Sequence, residues 1–360
     1  MFNPAPIDAI DPRTLARVLV IKLRHHGDVL LASPVLSALK ALAPQAEIDA
    51  LVYADTAPMM SLHPALSTLH TIDRKWKKAG LITQAREELG LLSRLHARRY
   101  ELIVHLTDHP RGAWLSRLLQ PRWSVAPIKP DGGRRWSRSF THLYPGAIAR
   151  RHTVEANLDA LRRLGLQPPV RALTLVAGEA AHARIAALRA QHGFAEGPFV
   201  VLHPSSRWMF KCWSVANNAT LLQTLVARGH KVVITAAPDA REREMVQAII
   251  NAAGVPVVDL SGALSLKELA ALIGLARLFI GVDSAPMHIA AAMGTPCVAL
   301  FGPSGELEWR PWGVAHEVIT SSEHPCRPCG RDGCGGGKIS DCLTALPVSQ
   351  VLAAIERLGG

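Results

Sequence analysis

The chain has 360 residues, of which 49% are hydrophobic and 19% charged, a balance typical of compact globular domains. This composition excludes a largely disordered protein, and the length favours two domains over one. The longest apolar runs are the size of a strand, so we expect no membrane span. The first residues, MFNPAPIDAIDPRTLAR, lack the apolar segment of a secretory signal, which predicts a cytoplasmic protein.

The net charge of +11 predicts an acidic partner, such as phosphate groups or an anionic membrane face. The excess is concentrated in two stretches, which contain Arg74, Lys75, Lys77 and Lys78, and then Arg122, Lys129, Arg134, Arg135, Arg138, Arg150 and Arg151. Solvated basic faces would give the same pattern. No helix-turn-helix, zinc finger or RNA-binding aromatic motif accompanies these residues, so nucleic acid is not an expected partner.

The first half of the chain reads as alternating strands and helices. The apolar run Val18–Ile21 predicts a strand buried on both faces, and further strands are expected at 48–52 and 102–105. A helix should run through Lys40, with Ser33 as its cap and Pro34 at its first position. We therefore predict an open parallel α/β domain over residues 1–170.

A proline-marked connector, LGLQPPVRALTL, separates this domain from a second one predicted over residues 171–346. The predicted strands of the second domain are 199–203, 231–235, 257–260, 278–282 and 297–301, the last of the chain. The predicted helices are 179–192, 214–228, 239–253, one that opens with the capping box Ser265–Glu268, and 287–293. A final helix lies within 347–360, and the sequence leaves open whether it packs back on the first domain.

The loop after the first strand, Lys22 to Asp28, is the first candidate site, because ligands of open α/β sheets bind beyond the carboxyl ends of the strands. Gly27 permits a tight turn, and Asp28 follows at or near a helix N-terminus. Its carboxylate is a candidate general base, which needs only hydrogen-bond reach of a hydroxyl. A helix N-cap is the alternative. His25 and His26 are candidate contacts to phosphate or water.

The segment Gly281 to His288 is the second candidate site, where a strand leads through small residues into a helix. Unpaired amides and the helix dipole at such a start favour an anion, typically a phosphate. No Walker motif or G-x-G-x-x-G is present, which argues against a P-loop enzyme or an ordinary NAD enzyme. His288 is a candidate ligand contact or, alternatively, a core histidine.

The third candidate site, His203 to Trp213, again follows a predicted strand directly. Arg207 and Lys211 can supply positive charge to a diphosphate, and Ser205 and Ser206 can donate hydrogen bonds to its oxygens. Together with the helix start above, these residues predict a phosphate-binding edge in the second domain.

Two segments carry a resemblance to a known family. VLVIKLRHHGDVLLASPVLSALK and GVDSAPMHIAAAMGTPCVALFGPS resemble the signatures of glycosyltransferase family 9, the lipopolysaccharide heptosyltransferases, and the first segment is especially similar to their heptosyltransferase III branch. The resemblance implies a GT-B fold, in which two Rossmann-like doubly wound domains face a central cleft. It also implies an inverting transferase that needs no catalytic metal or other cofactor, with an ADP-heptose donor and a lipopolysaccharide inner-core acceptor.

Positions can be carried over from the family to this chain. The resemblance places the catalytic aspartate at Asp28, a phosphate-binding lysine at Lys211 and a donor-binding aspartate at Asp283. The diphosphate then lies among Ser284, Ala285, Pro286, Met287 and His288, although Pro286 removes one amide donor. Leu264 belongs to the adenosine side, with Asp239 or Glu242 at the ribose. The resemblance places the acceptor in the first domain, where the candidate contacts are His25, His26, Arg134, Arg135 and Arg138. Such an acceptor also implies peripheral contact of the enzyme with the cytoplasmic face of the inner membrane.

Four cysteines cluster late in the chain, at Cys326, Cys329, Cys334 and Cys342. Four reduced thiolates suit a tetrahedral structural zinc, and the C-x-x-C half is typical of such sites. The wider second half also fits free thiols in a surface loop, since disulfides are not expected in the cytoplasm. On either interpretation, catalysis does not require this cluster.

Two other functions remain open on the sequence alone. The same fold hosts nucleotide-sugar epimerases, which would turn over the donor without an acceptor, and it hosts proteins that bind a nucleotide sugar without chemistry.

Overall fold

The computed structural model describes residues 6–146 and 150–359. The chain divides into two compact units, Met1–Thr174 and Leu175–Gly360, so the division falls inside the predicted linker, four residues beyond the expected boundary. Among the described residues, none of the helices has both the length and the apolar character needed to cross a membrane.

The first unit contains a parallel sheet in the strand order β3-β2-β1-β4-β5-β6. Its strands are β1 (Arg17–Ile21), β2 (Glu47–Tyr53), β3 (Thr68–Ile72), β4 (Leu102–His105), β5 (Trp123–Pro127) and β6 (His142–Tyr144). Its helices are α1 (His26–Leu30), α2 (Ser33–Leu42), α3 (Leu81–Arg98), α4 (Pro110–Leu119), α5 (Gly133–Ser137) and α6 (Thr153–Arg163). In the register of this sheet, Val20 of β1 pairs with Ala50 of β2 on one side and with Val104 of β4 on the other.

The second unit repeats this plan in the strand order β12-β11-β10-β7-β8-β9. Its strands are β7 (Phe199–His203), β8 (Lys231–Ile234), β9 (Val258–Asp259), β10 (Leu278–Val282), β11 (Cys297–Leu300) and β12 (His316–Ile319). Its helices are α7 (Glu179–Gln191), α8 (Val215–Ala227), α9 (Ala240–Ala253), α10 (Leu266–Ile273), α11 (Ala285–Met293), α12 (Glu306–Trp309), α13 (Asp341–Thr344) and α14 (Val348–Arg357).

Apolar burial on both faces explains why the central strands are continuous hydrophobic runs. Leu91 and Leu95 of α3 pack on Leu19 of β1 and Ile103 of β4, all almost fully buried. Burial of such side chains contributes about 1.5–3 kcal/mol each. The strand orders of the two sheets confirm the predicted α/β class with two doubly wound domains.

Each sheet has one topological switch point, where the strands that follow in the chain are added on the opposite side of the first strand. In the first sheet β2 and β4 flank β1, and in the second β8 and β10 flank β7. Crevices at the carboxyl ends of such strand pairs are the usual ligand sites of open α/β sheets. The loops that follow β1, β7 and β10 all begin at these points.

Several element boundaries differ from the prediction. Ala32, not Ser33, is the N-cap of α2, because the Ser33 hydroxyl accepts a hydrogen bond from the Thr174 amide at 3.0 Å. The expectation that 297–301 is the last strand is wrong, since β12 pairs with β11 beyond it.

The C-terminal helix α14 packs within the second unit. It lies against α8, β11 and β12, with Val351, Ala354 and Ile355 buried. The indole of Trp213 donates to the Leu346 carbonyl at 3.0 Å just before this helix. These contacts answer the question that the sequence left open about where this helix packs.

Candidate functional site

Asp28 lies at the topological switch point of the first sheet. The helix α1 begins one residue after His25, which holds the N-cap position without a side-chain hydrogen bond. Asp28 is the third residue of the helix and is half-buried. The interpretation of Asp28 as the cap is therefore wrong, and its carboxylate is available at the carboxyl edge of β1.

A buried lysine that the sequence analysis passed over lies beside Asp28. Lys22 is 5% exposed, and its Nζ donates to the Leu106 carbonyl at 3.1 Å and to Asn157 Oδ1 at 2.9 Å. The Asn157 amide in turn donates to the Leu31 carbonyl at 3.0 Å. Burial lowers the pKa of Lys22 to about 8, although the negative charge of Asp28 opposes this shift. A lysine directly after a buried strand was the available signal.

Charged side chains from several loops surround the same edge of the sheet. Arg24 forms an ion pair with Asp108, and Lys129 donates to the Asp108 carbonyl at 3.2 Å. Arg74 donates to the Arg24 carbonyl at 3.2 Å and stacks on the Tyr53 ring, 3.9 Å from its centroid. These contacts fix arginine and lysine side chains from the loops after β1, β3 and β5 at one rim.

The candidate acceptor residues divide into two groups. The imidazole of His26 makes a 3.0 Å hydrogen bond with the Asp55 carbonyl, whereas His25 is exposed. The second group lies on and just after α5, with Trp136 buried beneath it. Its members are Arg134, Arg135 and Arg138. All three are exposed, and no carboxylate of the described residues lies within ion-pair distance of them. The side chain of Lys77, in the other basic stretch, lies outside the described part.

The candidate diphosphate site lies at the topological switch point of the second sheet. Lys211, in the loop after β7, forms a 2.6 Å ion pair with Asp283, which directly follows β10. Asp283 is almost fully buried, whereas Lys211 is about a quarter exposed. The carboxylate therefore holds the ammonium group in place, while about a quarter of the lysine side chain stays exposed.

The start of α11 adds unpaired donors to this loop pair. Ser284 is the N-cap, yet its hydroxyl makes no cap bond, and its buried Oγ has no hydrogen-bond partner within the described residues. The amide of Ala285 belongs to the first turn, where no intrahelical acceptor exists. Pro286 has no amide hydrogen, and the Met287 amide donates to the Ser284 carbonyl at 3.2 Å. The predicted run of amides is thus reduced to Ser284 and Ala285.

Two further buried polar contacts join the end of β7 and its loop to the segment that follows β8. The Ser205 hydroxyl donates to Glu242 Oε2 at 2.8 Å, and both residues are buried. Asp239 instead caps α9 and remains at the surface. His203 and Thr235 share a 2.9 Å hydrogen bond, and burial lowers the pKa of His203 to about 4, which keeps it neutral. Of the two acids considered for the ribose, only Glu242 points inward.

The remaining candidate residues of the second unit occupy different surroundings. Ser206 is buried and accepts from the Trp208 amide at 3.3 Å, and Leu264 is half-buried just before the capping box of α10. His288 is buried, with its ring 6.4 Å from that of Trp309, so it belongs to the packed part of α11. A cavity of about 300 Å³ lies beside the β7 loop, lined by Arg207, Trp208, Met209, Phe210, Arg241 and Lys338.

The four clustered cysteines are all free thiols. Cys342 is buried at the start of α13; burial raises its pKa, the neighbouring Cys334, Cys329 and Cys326 raise it further, and Arg327 lowers it. Hydrogen bonds from Arg327 to the Gly302 carbonyl and from the Gly330 amide to the Pro303 carbonyl hold this loop. Within residues 6–146 and 150–359, no group of three or more metal-binding side chains is arranged around a common point.

Comparison with known sequences identifies the family. The model of glycosyltransferase family 9 (heptosyltransferase) matches residues 89–339, which is more than half of the chain. The chain belongs to glycosyltransferase family 9. It is 38% identical over 341 residues to lipopolysaccharide heptosyltransferase 3 of Escherichia coli, covering 93% of this chain and 97% of the relative. With lipopolysaccharide heptosyltransferase 1 of Pseudomonas aeruginosa it shares 28% identity over 88% of this chain and 87% of that protein. The chain is therefore an enzyme, a glycosyltransferase.

Solved structures of the family share the fold, which confirms the predicted GT-B type. The glycosyltransferase family 9 protein of Veillonella parvula superposes with a TM-score of 0.84 at 22% identity, over 98% of this chain and 99% of that one. The E. coli heptosyltransferase WaaC with ADP gives a TM-score of 0.72 at 20% identity, over 95% and 99% of the two chains.

Proposed function

We propose that the chain transfers heptose from ADP-heptose to the inner core of lipopolysaccharide. The observation that carries this proposal is the group at the β7–β10 edge, where Lys211, held by Asp283, lies with the unpartnered Ser284 hydroxyl at a helix start. One cation and several donors at one edge suit a diphosphate. Relatives named as lipopolysaccharide heptosyltransferases, and a neighbour solved with ADP, support this assignment.

The proposed donor site extends from the diphosphate to the nucleoside. Lys211, Ser206, Ser284 and the Ala285 amide would bind the phosphate oxygens. Glu242, a buried acid to which the Ser205 hydroxyl donates at 2.8 Å, is the carboxylate that we assign to accept hydrogen bonds from the ribose hydroxyls. We assign Leu264 to the adenine side, because an apolar side chain at the start of a helix can cover an aromatic base.

The proposed reaction is a single displacement at the anomeric carbon. The acceptor hydroxyl oxygen forms the new bond, Asp28 takes the hydroxyl proton, and the bond from the anomeric carbon to the diphosphate oxygen breaks. The electron pair leaves with ADP, whose growing charge Lys211 and the helix-start donors stabilise. Charge stabilisation by these groups is why we propose a mechanism without a catalytic metal or other cofactor. One displacement inverts the configuration of the anomeric carbon.

The proposed acceptor site uses basic side chains of the first unit. Phosphates or acidic sugars on the acceptor would meet Arg134, Arg135 and Arg138, together with His25 and His26. Since the core is attached to a lipid, we also propose that the enzyme works at the cytoplasmic face of the inner membrane, in peripheral contact with it.

The test is incubation of the purified enzyme with ADP-heptose and core acceptors truncated at successive sugars, followed by mass spectrometry. We expect one heptose to be added to one length of acceptor, with release of ADP. Donor conversion without any acceptor would instead show an epimerase. Binding of ADP-heptose with no change to donor or to any acceptor would show a binding protein without chemistry.

A further inference from the structure

A group of apolar side chains lies exposed on two neighbouring helices of the first unit. On α3, Leu81 is 86% exposed, Ile82 88% and Leu89 65%, and on α4, Trp114 is 67% and Leu118 49% exposed. We call this set the α3–α4 face. Leu91 and Leu95, further along α3, make its contacts with the sheet and are almost fully buried. The exposed side chains are therefore not needed to pack α3.

The two helices present these side chains side by side. Arg111 of α4 forms an ion pair with Glu88 of α3, which fixes the flanks where the helices meet. Residues three, four or seven apart lie on one side of a helix. Leu81 is seven residues from Glu88, and Leu118 is seven from Arg111, so both lie along the flanks that meet. Leu81 and Leu118 therefore border the junction of the two helices, and Ile82 and Leu89, seven residues apart on α3, extend the exposed apolar set along the neighbouring side of that helix.

The segment that carries this face has an excess of positive charge. Residues 74–122 contain eleven lysines and arginines against four acidic residues. Three of the acids are engaged, since Glu87 pairs with Arg86, Glu88 with Arg111, and Asp108 with Arg24. The fourth, Glu101, accepts from the Arg17 amide at 2.6 Å. Exposed cations with no carboxylate of the described residues in ion-pair distance therefore remain in this segment, at Lys75, Lys78, Arg94, Arg117 and Arg122.

We infer that the α3–α4 face docks on a bilayer surface rich in anionic lipids. Exposed apolar patches with a polar rim mark interaction sites, and leucine, isoleucine and tryptophan beside basic residues suit the boundary between headgroups and acyl chains. The positive charge of this segment attracts anionic headgroups and repels a second copy of itself. The inference rests on the proposed function in one respect: a lipid-linked acceptor is presented at a membrane surface, where the enzyme must bind to reach it.

Vesicle binding tests the inference. The full chain is sedimented with phosphatidylcholine vesicles that contain or lack phosphatidylglycerol. We expect binding only with the anionic lipid, weaker at high salt, and reduced by about tenfold or more in the double variant Leu81→Ser, Ile82→Ser. Trp114→Ser should also weaken binding. The matched control is Leu275→Ser with Leu307→Ser, which are 47% and 40% exposed in the second unit and should bind like the wild type.

Two further measurements separate the possible failures. Transfer to a water-soluble, delipidated core acceptor should be equal in the wild type and in Leu81→Ser, Ile82→Ser, and circular dichroism should show equal folding. If the wild type does not transfer heptose to this acceptor, the proposed function is wrong. The vesicle-binding result does not depend on that outcome and tests the docking inference alone. Vesicle binding of the double variant equal to that of the wild type overturns the inference. So does a wild-type dimer that becomes monomeric in the double variant, because the face would then bind a second copy.

Discussion

Single residues separate the proposed chemistry from donor binding. Asp28 belongs to the first unit and does not cap α1, since His25 holds the cap position. Asp28→Asn should therefore fold and bind ADP-heptose normally but lose about 10²- to 10⁴-fold in the rate of transfer, the range for a lost general base. Steady-state kinetics and calorimetric donor binding check this, with Asp131→Asn as the control of an exposed acid. A loss of less than about fivefold would remove Asp28 from the base role.

Lys211 should act on the donor instead. Lys211→Ala removes a charge-assisted contact worth about 1.5–3 kcal/mol and leaves Asp283 buried without its partner. We expect the Kd for ADP to rise about tenfold or more, with slower turnover because ADP departs less readily. The control is Lys231→Ala, because the Lys231 ammonium donates to the Gly193 carbonyl at the surface of the second unit. Donor affinity and turnover both unchanged in Lys211→Ala would exclude Lys211 from the site.

Lys22 gives a prediction for the pH dependence of stability. Its pKa falls from 10.5 in the unfolded chain to about 8 in the folded protein, mainly because it is buried. Below pH 8 both states are protonated, and the cost of burying the charge is fully present. Between pH 8 and 10.5 the unfolded state binds more protons, so the stability due to Lys22 rises with pH, by up to roughly 3 kcal/mol.

Denaturant unfolding of the wild type and of Lys22→Met measures this effect. The difference in the free energy of unfolding, wild type minus variant, should rise between pH 8 and 10.5. Taking the difference cancels the other groups that titrate in this range. A pH-independent difference would show that Lys22 is no more protonated in the unfolded chain than in the folded one.

At the scale of elements, α5 offers the clearest test of the acceptor side. Its arginines are exposed, and Trp136 holds the helix by its own burial, so they can be neutralised without loss of packing. Changing Arg134, Arg135 and Arg138 together to glutamine should raise the KM for the acceptor and leave that for the donor nearly unchanged. Added salt should weaken acceptor use by the wild type more than by the variant, because salt screens exposed charges.

The matched control for the α5 variant changes three arginines of the second unit. Arg184, Arg228 and Arg357 are suitable, because the last two form only surface ion pairs, which contribute little to stability. This control should keep the acceptor KM of the wild type. If the α5 variant and the wild type share one acceptor KM and one salt dependence, the charge on α5 is only a solvated face.

At the scale of the whole molecule, we predict that transfer does not depend on a metal. Lys211 and the donors at the start of α11 supply the charge stabilisation that a metal ion provides in other transferases. Activity should therefore persist in EDTA. Prompt loss of activity that added divalent metal restores would contradict this mechanism.

The cysteine cluster is tested in the same experiment by a different measurement. A structural zinc at Cys326, Cys329, Cys334 and Cys342 would appear as metal bound to the purified protein and as slow unfolding when a chelator removes it. Absence of bound metal and an unchanged melting temperature in EDTA would leave the four residues as free thiols.

The sequence by itself determined the fold class, because it depends on local patterns. Val18–Ile21, Phe199–His203 and Leu278–Val282 are continuous apolar runs, and only strands buried on both faces require them. The capping box at Ser265 and Glu268 is also local, and it formed as predicted. Edge strands such as β12 were missed because half-exposed residues carry a weaker pattern.

Tertiary structure decided which polar residues meet. Lys211 and Asp283 are 72 residues apart and Ser205 and Glu242 are 37 apart, and no local pattern predicts either pair. The choice between Asp239 and Glu242 depended on which side chain the packing of α9 turned inward. Ser33 was lost as a cap because its hydroxyl bonds to Thr174, far along the chain. Partners of this kind are fixed by strand order and helix packing, which depend on the whole chain at once.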